Sequence, residues 1–420
     1  MGSTIIQKIL ASHSGMKEVE IGEFVTATID VAMVTDGLLE VHETAVKAGM
    51  KNGIPKIWDP SKVVTGFDHT SPIYNEEIAR RVKASKELTK NYGCGFYDVN
   101  EGIMHQVMLD HGHVLPGKLI VGKDSHSTTY GALNAAGIPI GASEMVYVLV
   151  KGELWFRVPE TIVFELRGKL QQYSMAKDIF LHIAGKYSTE VAQYKAIEWR
   201  GEGVSRLSLD GRVSISEMSI ELGAKCGIFE ADETALEYLK KRNKGPFSPV
   251  NADQDASYEK VMTVDVNEIE PLVAKPHFVG NVSPVSEVEG TTIDQAFIGT
   301  CSNGRLEDLR MAARIVKGKQ TNRNTKFIVT PASAEIYKKA AAEGLLLTLS
   351  EAGAMITNPS CGACTGFAGV LTDGETCIAA APRNFMGRMG SPKANIYLGS
   401  PATVAASALR GEITDPRKVV

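Results

Sequence analysis

The sequence predicts an α/β protein whose sheets are mainly parallel. In the C-terminal third, a short apolar strand, a loop of small residues and a helical stretch follow one another repeatedly. Such alternation builds a parallel sheet with helices on both faces. The chain has 420 residues and is 44% apolar, so it can bury a large core divided between two or three domains.

The N-terminal part also alternates. "KLIVGKDSHS", residues 118–127, gives a short apolar strand followed by a loop of polar residues. Ligands of parallel sheets bind at the carboxyl ends of the strands, so this loop lies where a site is expected.

The C-terminal third begins its repeating pattern at residue 293. Residues 293–298 are predicted to form a strand and residues 299–304 a loop. A helix follows, because apolar side chains then recur at helical spacing from Leu306 to Val316.

Two more units complete this third of the chain. One consists of a strand at 327–329 and a helix from about Ser333. The other has a strand at 396–398, after which Ser400-Pro401 supplies an N-cap and a first-turn proline for the closing helix.

Two breaks in the pattern predict the domain boundaries. A weak break falls at Val158-Pro159, and residues 274–290, rich in Pro, Gly and Val without helical period, resemble a linker. We therefore expect domains at 1–157, 158–285 and 286–420.

Composition excludes several classes of protein. The net charge is −4, with 45 Lys and Arg against 49 Asp and Glu, so no nucleic-acid partner is expected. No apolar run of 18 residues is present, which predicts no membrane span. Six cysteines are too few for a disulfide scaffold, so we expect reduced thiols and a cytoplasmic protein.

Three cysteines are candidates for one metal centre. Cys361 and Cys364 lie in "PSCGACTG", and Cys301 follows a predicted strand in "IGTCSNGR", near a helix N-terminus that should lower its pKa. Spacing alone leaves an iron–sulfur cluster, a zinc site and structural thiols open. Zinc would need Cys377 or a carboxylate as fourth ligand, and a redox CxxC would leave Cys301 unexplained.

Acidic and imidazole side chains lie together in glycine-rich loops. They are Asp68-His69 in "FDHTSP", His105 in "GIMHQV" and Asp124-Ser125-His126 in "GKDSHSTTYG". Such pairs tune histidine pKa values for acid and base catalysis. In "PRNFMGRMG", Arg383 and Arg388 are spaced to bind carboxylates, although two such arginines can also be plain surface charge.

Eight short sequence motifs together resemble those of one protein family. "DHT", "GIxHQ", "KDSHS", "GELWFRVPETI", "GTCSNGR", "PSCGACTG", "RNFMGR" and "YLGSPATVAASAL" occur in this order over essentially the whole chain. They resemble the aconitase superfamily, and within it the large subunits of the 3-isopropylmalate dehydratase and homoaconitase group. The resemblance implies three aconitase-type α/β/α domains around a central cleft, without the family's swivelling domain.

The resemblance also implies a cofactor and roles for individual residues. One [4Fe–4S] cluster per chain is expected on Cys301, Cys361 and Cys364, with one iron free of protein ligands. Catalytic roles fall on Asp68, His69, His105, Asp124, His126 and Glu221, and substrate binding on Ser125, Arg383 and Arg388. Within the catalytic group, Asp68 and His69 would assist the leaving hydroxyl, and Glu221 would be a further acid.

The activity implied is that of a hydro-lyase acting on a small β-hydroxy di- or tricarboxylic acid. 3-Isopropylmalate, of leucine biosynthesis, is the first candidate; homoaconitase, 2,3-dimethylmalate and citramalate dehydratases are alternatives. In the family the catalytic base, a serine, lies on the swivelling domain, so a separate small subunit is implied and the chain alone should be inactive. A cluster-free RNA-binding protein and an inactive paralogue are the alternatives from other classes.

Two residues and one short stretch of the sequence depart from the family pattern. Glu217 and Pro382 occupy places where the family has asparagines near the cluster, and "AAGIPIG" is poorer in glycine than usual. A carboxylate and a proline without an N–H should alter the potential or stability of a cluster. Compensating contacts in a divergent relative, or an altered cluster pocket, would each account for these departures.

Overall fold

The protein is described from a computed structural model that covers residues 2–242 and 246–419. In these residues the chain forms four β-sheets with helices between them. Every strand pairing in the five-stranded and four-stranded sheets is parallel, which confirms the predicted α/β class. Within the same residues, no helix is long and apolar enough to cross a membrane.

The N-terminal part contains a five-stranded sheet of order β4-β3-β2-β5-β6 and an antiparallel ribbon of β1 and β7. Its strands are β1 (Phe24–Thr28), β2 (Val31–Thr35), β3 (Val63–Gly66), β4 (Gly95–Tyr97), β5 (Leu119–Gly122), β6 (Ala136–Pro139) and β7 (Glu153–Arg157). Its α-helices are α1 (Ile5–Ser14), α2 (Leu39–Lys47), α3 (Glu76–Tyr92), α4 (Met104–Asp110) and α5 (Ala142–Lys151). The predicted strand in "KLIVGKDSHS" is β5, buried on both faces as a central parallel strand requires.

The middle part forms the four-stranded sheet, of order β10-β9-β8-β11. Its strands are β8 (Thr161–Arg167), β9 (Ala196–Arg200), β10 (Cys226–Phe229) and β11 (Lys260–Asp265). Its α-helices are α6 (Ala176–Tyr187), α7 (Leu209–Met218) and α8 (Glu233–Arg242). The aromatic rings of Phe164, Trp199 and Phe229 stack in its core, with centroids 5.1 and 6.0 Å apart.

The C-terminal part forms a seven-stranded sheet of order β13-β12-β18-β17-β14-β15-β16. Its strands are β12 (Leu272–Ala274), β13 (Val282–Pro284), β14 (Gln295–Ile298), β15 (Lys326–Val329), β16 (Met355–Ile356), β17 (Thr376–Ala380) and β18 (Asn395–Gly399). Its α-helices are α9 (Thr300–Asn303), α10 (Leu306–Val316), α11 (Ala334–Ala342), α12 (Leu345–Glu351) and α13 (Pro401–Arg410).

The predicted strand and helix units of this part are confirmed, including two helix starts. Ser333 caps α11 by accepting a hydrogen bond from the Ile336 backbone N–H. Ser400 is the N-cap residue of α13 and Pro401 lies in its first turn, as predicted, although the Ser400 side chain accepts no hydrogen bond from the helix backbone. The Ser400 Oγ instead lies 3.3 Å from the Thr403 Oγ1.

Two local predictions in this part are wrong. The stretch 299–304, predicted as a loop, contains the short helix α9. The predicted linker 274–290 includes β13, which pairs with β12, while β12 pairs antiparallel with β18. β13 lies at the sheet edge, where Pro284 can be accommodated although it has no N–H to donate. The domain boundaries themselves remain predictions.

The sheets bring sequence-distant loops to one place. Asp68 follows the carboxyl end of β3, and Asp124 follows that of β5, in the five-stranded sheet. Cys301 and Arg383 follow the carboxyl ends of β14 and β17 in the seven-stranded sheet. Carboxyl ends of parallel strands share one edge, so each sheet presents its polar loops at a single edge.

Asn134 ties the loop after β5 to the rest of the molecule. Its backbone has φ of 63°, and its buried side chain donates to the carbonyls of Phe229 and Val250, both at 2.9 Å. Its Oδ1 also accepts from the Val250 N–H at 2.8 Å.

Asn134→Ala should lower the free energy of unfolding by about 2–4 kcal/mol. The substitution removes the buried hydrogen bonds of the amide. It also places alanine in the left-handed backbone conformation, which alanine tolerates less well than asparagine. Urea denaturation measures the change. The exposed Asn324→Ala is the matched control and should shift stability by less than about 0.5 kcal/mol. Equal effects of the two substitutions would show that Asn134 makes no net contribution.

Candidate active site

The predicted site residues converge on one cavity. All of them except Glu221 line it, together with Ile103 and Thr300, which sequence reasoning had not identified. Glu221 lies beside the cavity and contacts Arg383. The roles of these residues remain predictions.

Asp68 and His69 form the first acid–imidazole pair. The buried Asp68 carboxylate accepts hydrogen bonds from the backbone N–H groups of His69, at 3.1 Å, and Met104, at 3.0 Å. The His69 Nδ1 lies 2.8 Å from the Asp36 Oδ2. Burial lowers the pKa of His69, but the nearby charges of Cys361 and Asp68 and the bond to Asp36 outweigh it, so this pKa is well above its ordinary value. This direction favours the protonated imidazole, which can donate a proton.

Asp124 organises the second group. Its Oδ1 lies 2.8 Å from the His105 Nε2 and accepts a hydrogen bond from the His126 N–H at 2.8 Å, which caps the following 3-10 helix Ser125–Leu133. Burial raises the pKa of Asp124, yet the bond and charge of His105 and the charges of His126 and His69 hold it well below its ordinary value. Asp124 is therefore a fixed anion that orients His105.

Two glutamates approach His126 from the end of α7 and the 3-10 helix Ser219–Leu222. The His126 Nε2 lies 3.3 Å from the Glu217 Oε1 and 3.4 Å from the Glu221 Oε1. Burial raises the pKa of Glu221, but contacts with His126 and Arg383 outweigh it, so the pKa is lowered. Glu217, noted from the sequence only as a departure from the family pattern, is a buried member of the site.

The three candidate cysteines are buried and carry free thiols. Cys301 lies in α9, and Cys361 and Cys364 flank the start of the 3-10 helix Gly362–Thr365. The Cys361 N–H donates to the Asp68 carbonyl at 3.1 Å, which joins the cysteine loop to the loop after β3.

One expectation about the thiols is wrong. A helix N-terminus was expected to lower the pKa of Cys301, but burial raises it well above its ordinary value, and the charge of Glu217 raises it further. Burial likewise raises the pKa of Cys361 to about 12, although His69 opposes this.

Two guanidinium groups complete the cavity. The Arg383 Nε donates to the Glu221 Oε1 at 2.6 Å, and the Arg388 Nη2 donates to the Cys364 Sγ at 3.2 Å. Within residues 2–242 and 246–419, the buried Arg388 Nε has no hydrogen-bond partner. The cavity thus offers cationic donors to an anionic ligand.

The arrangement of the thiols distinguishes between metal centres. A tetrahedral zinc with Zn–S bonds of about 2.3 Å brings its thiolates to about 3.8 Å from one another. Groups of three possible ligand atoms within 4.8 Å of one another occur in the described residues, but none contains two of the three cysteines. In the described residues, the three thiols together therefore do not have the spacing of ligands of one ion.

Comparison with known proteins gives the family. The model of the aconitase family (aconitate hydratase) matches residues 40–411. The chain belongs to the aconitase family. This confirms the resemblance carried by the sequence motifs, and an iron–sulfur cluster is the cofactor that the family implies.

Similar proteins match the chain from end to end. The 3-isopropylmalate dehydratase large subunit 1 of Methanopyrus kandleri is 47% identical over 99% of this chain and 99% of its own length. The 3-isopropylmalate dehydratase large subunit of Aquifex aeolicus is 44% identical over 100% of this chain and 98% of its own length. A probable methanogen homoaconitase large subunit of Methanosarcina mazei is 47% identical over 94% of this chain and 100% of its own length.

The Arg383–Glu221 pair can be tested by a double-mutant cycle. Arg383→Gln should lower the free energy of unfolding by about 1–3 kcal/mol, because it leaves a largely buried carboxylate, 13% exposed, without its guanidinium partner. Adding Glu221→Gln should restore part of this loss, as measured by urea denaturation. The exposed pair Arg206–Glu202 is the control, since Arg206→Gln should cost less than about 1 kcal/mol. Strictly additive effects of the two substitutions would contradict the pairing.

Proposed function

We propose that this protein is the large subunit of a hydro-lyase that isomerises a small β-hydroxy di- or tricarboxylic acid by removing water and adding it back at the neighbouring carbon. The substrate that we favour is 3-isopropylmalate, which is named for several relatives that match the whole chain. The observation that carries the proposal is the meeting of three buried thiols, acid–imidazole pairs and two guanidinium groups in one cavity.

The cofactor proposed is one [4Fe–4S] cluster held by Cys301, Cys361 and Cys364. The fit is supported by three buried free thiols that do not converge on a single ion. The bound cluster, with one iron free of protein ligands, supplies a Lewis acid for the substrate hydroxyl and carboxylate. Arg388 balances the charge of the Cys364 thiolate, which its Nη2 contacts at 3.2 Å.

We assign the proton for the departing hydroxyl to His69. Loss of hydroxide is unfavourable in water, so a proton donor held at the leaving oxygen lowers the barrier. Asp36 and Asp68 contact the imidazole Nδ1 at 2.8 and 3.2 Å and keep the ring charged and oriented. Asp124 contacts His105 at 2.8 Å, which orients that ring in the cavity.

The carboxylates of the substrate are assigned to Arg383, Arg388 and Ser125. A guanidinium group binds a carboxylate through two parallel hydrogen bonds, which fixes both its position and its orientation. The unpartnered Nε of Arg388, in the described part of the chain, supports this assignment because its N–H is free to donate. Glu221 holds Arg383 in place through its Nε, leaving the terminal nitrogens for the ligand.

A separate small subunit is the proposed partner. Relatives that this chain matches over nearly their full length carry the words "large subunit" in their names. The group that removes the carbon-bound proton is assigned to that partner, together with contacts to the substrate side group. The large chain should therefore bind the cluster alone but turn over substrate only in the complex.

Homoaconitase is the second candidate. The Methanosarcina mazei relative with that name is 47% identical to this chain, the same value as for the Methanopyrus kandleri dehydratase subunit. The two assignments share the reaction and differ in the side group of the acid.

Cys364→Ser should abolish cluster binding, because it removes one of three thiolate ligands. Anaerobically reconstituted wild-type protein should contain about four irons per chain and develop a three-iron electron paramagnetic resonance signal on mild oxidation. Cys94→Ser is the control, since Cys94 does not line the cavity. Unchanged iron content in Cys364→Ser would exclude the proposed ligand set.

Activity should depend on the partner. The large chain co-purified with its small subunit should dehydrate and isomerise 3-isopropylmalate, and either subunit alone should be inactive, as followed by absorbance of the unsaturated intermediate. Asp124→Asn in the complex should lower kcat at least about 100-fold, because the fixed anion that orients His105 is lost. Homocitrate as the preferred acid would instead support homoaconitase. Turnover by the large chain alone would contradict the assignment of the proton-removing group to the small subunit.

A further inference from the structure

A second set of metal-ligand atoms lies at the wall of the cavity. The His126 Nε2, a Glu217 carboxylate oxygen and the Cys301 Sγ all lie within 4.8 Å of one another. The Cys301 Sγ is 3.1 Å from the Glu217 Oε1, and the His126 Nε2 is 3.3 Å from the same oxygen. The three residues are 5%, 0% and 6% exposed, for His126, Glu217 and Cys301 respectively.

One oxygen of this set lacks a hydrogen-bond partner. Among the residues that the structure describes, the buried Glu217 Oε2 has none, and the buried His126 Nε2 has carboxylate oxygens of Glu217 and Glu221 at 3.3 and 3.4 Å. A buried polar atom without a partner costs about 1–3 kcal/mol, and more when it is charged. Such atoms point to a group that the protein chain does not itself supply.

The nearest buried cation does not fill this role. Lys177 is fully buried, and its Nζ donates to the Ala381 carbonyl at 2.7 Å. Within the described ranges, Lys177 and Glu217 form no ion pair at 4.0 Å or less. Glu217 therefore keeps one carboxylate oxygen available.

The distances fit one small ion. Bonds of about 2.0–2.3 Å to nitrogen, oxygen and sulfur in tetrahedral geometry separate the ligand atoms by about 3.3–3.6 Å. The Glu217 Oε1 lies 3.1 Å from the Cys301 Sγ and 3.3 Å from the His126 Nε2, at or slightly below these values, and loss of the thiol proton on binding frees this oxygen for the ion. An imidazole, a carboxylate and a thiolate together suit Zn²⁺, Fe²⁺ and Co²⁺, with a fourth position left for water.

Two other groups of possible ligands are less suitable. In the group of Asp68, His69 and Cys361, the carboxylate already accepts two backbone hydrogen bonds, and the His69 Nδ1 already contacts the Asp36 Oδ2 at 2.8 Å. In the group of His105, Asp124 and His126, the Asp124 Oδ1 already contacts His105 and accepts the His126 N–H.

We propose that the cluster-free protein binds one divalent transition-metal ion through His126, Glu217 and Cys301. Binding displaces the thiol proton of Cys301 to solvent, and water completes the coordination. Because Cys301 is also a proposed cluster ligand, the single ion and the cluster exclude each other. The ion site itself does not depend on the proposed enzymatic function.

Co²⁺ is the probe that tests this site. The full-length chain is freed of iron under anaerobic conditions and titrated with CoCl₂, while near-ultraviolet and visible absorbance are recorded. The expected result is one Co²⁺ per chain with a thiolate-to-cobalt charge-transfer band and the visible bands of a four-coordinate ion. Equimolar Zn²⁺ should displace the cobalt, following the order of affinities.

Three variants separate this site from the cysteine triad. Cys301→Ser should lose the charge-transfer band. Glu217→Gln should weaken Co²⁺ binding at least about 100-fold, because loss of a residue that only supports a metal ligand already costs about 10–100-fold in affinity. Cys364→Ser is the matched control and should retain both band and affinity. Far-ultraviolet circular dichroism of each variant checks that it is folded.

Several results would overturn the proposal. One is that the wild-type chain binds no stoichiometric Co²⁺. The others are that the charge-transfer band is lost in folded Cys364→Ser or retained in Cys301→Ser, or that Glu217→Gln binds Co²⁺ with unchanged affinity. Iron content after cluster reconstitution is measured on separate samples. A failed cobalt site with an intact cluster, or the reverse, therefore distinguishes this inference from the proposed function.

Discussion

The site depends on one constraint, which is that charges removed from water must be matched by nearby opposite charges. Charged groups in the cavity satisfy this constraint by contacting a group of opposite charge, as Arg383 contacts Glu221 and His105 contacts Asp124. These pairs are assembled from loops at the edges of separate sheets, so the positions of the sheets and of the charges are linked. Glu217 is the exception, since one of its oxygens is unpartnered in the described residues, and it lies where a metal ion would restore the balance.

Much of the architecture could be predicted because its signals are local. Apolar runs such as "LIVG" in β5, followed by polar loops, identify parallel strands and the loops at their carboxyl ends. The family motifs then assigned distant residues such as Asp68 and Cys361 to one site, which the periodicity of apolar residues cannot do. The structure does bring them together, through the hydrogen bond from the Cys361 N–H to the Asp68 carbonyl.

Other features depend on tertiary packing and could not be predicted from local patterns. The pKa of Cys301 was expected to fall because of a helix end, but burial beside Glu217 raises it, and neither burial nor that neighbour can be inferred from the residues around position 301. The segment 274–290 has the composition of a linker, yet its pairing partners lie on β12, and β12 in turn pairs with β18 near the end of the chain. Composition could not show that an edge position was available there.

The cavity of this chain is better suited to recognise charge than shape. Among the described residues lining it, Ile103 is the only aliphatic side chain, whereas Arg383 and Arg388 face the same space. A carboxylic acid can thus be held by this chain irrespective of its side group. Discrimination between an isopropyl and a longer carboxylate-bearing group is consequently a task for the partner chain in the proposed complex.

The hydrogen bond between the Cys361 N–H and the Asp68 carbonyl has a consequence for biogenesis. Translation delivers the loop after β3 well before the segment that closes on it. During that interval the nascent chain carries the Asp68 loop without the segment that packs on it. Any machinery that loads metal into this site must act after the segment with Cys361 and Cys364 has been synthesised.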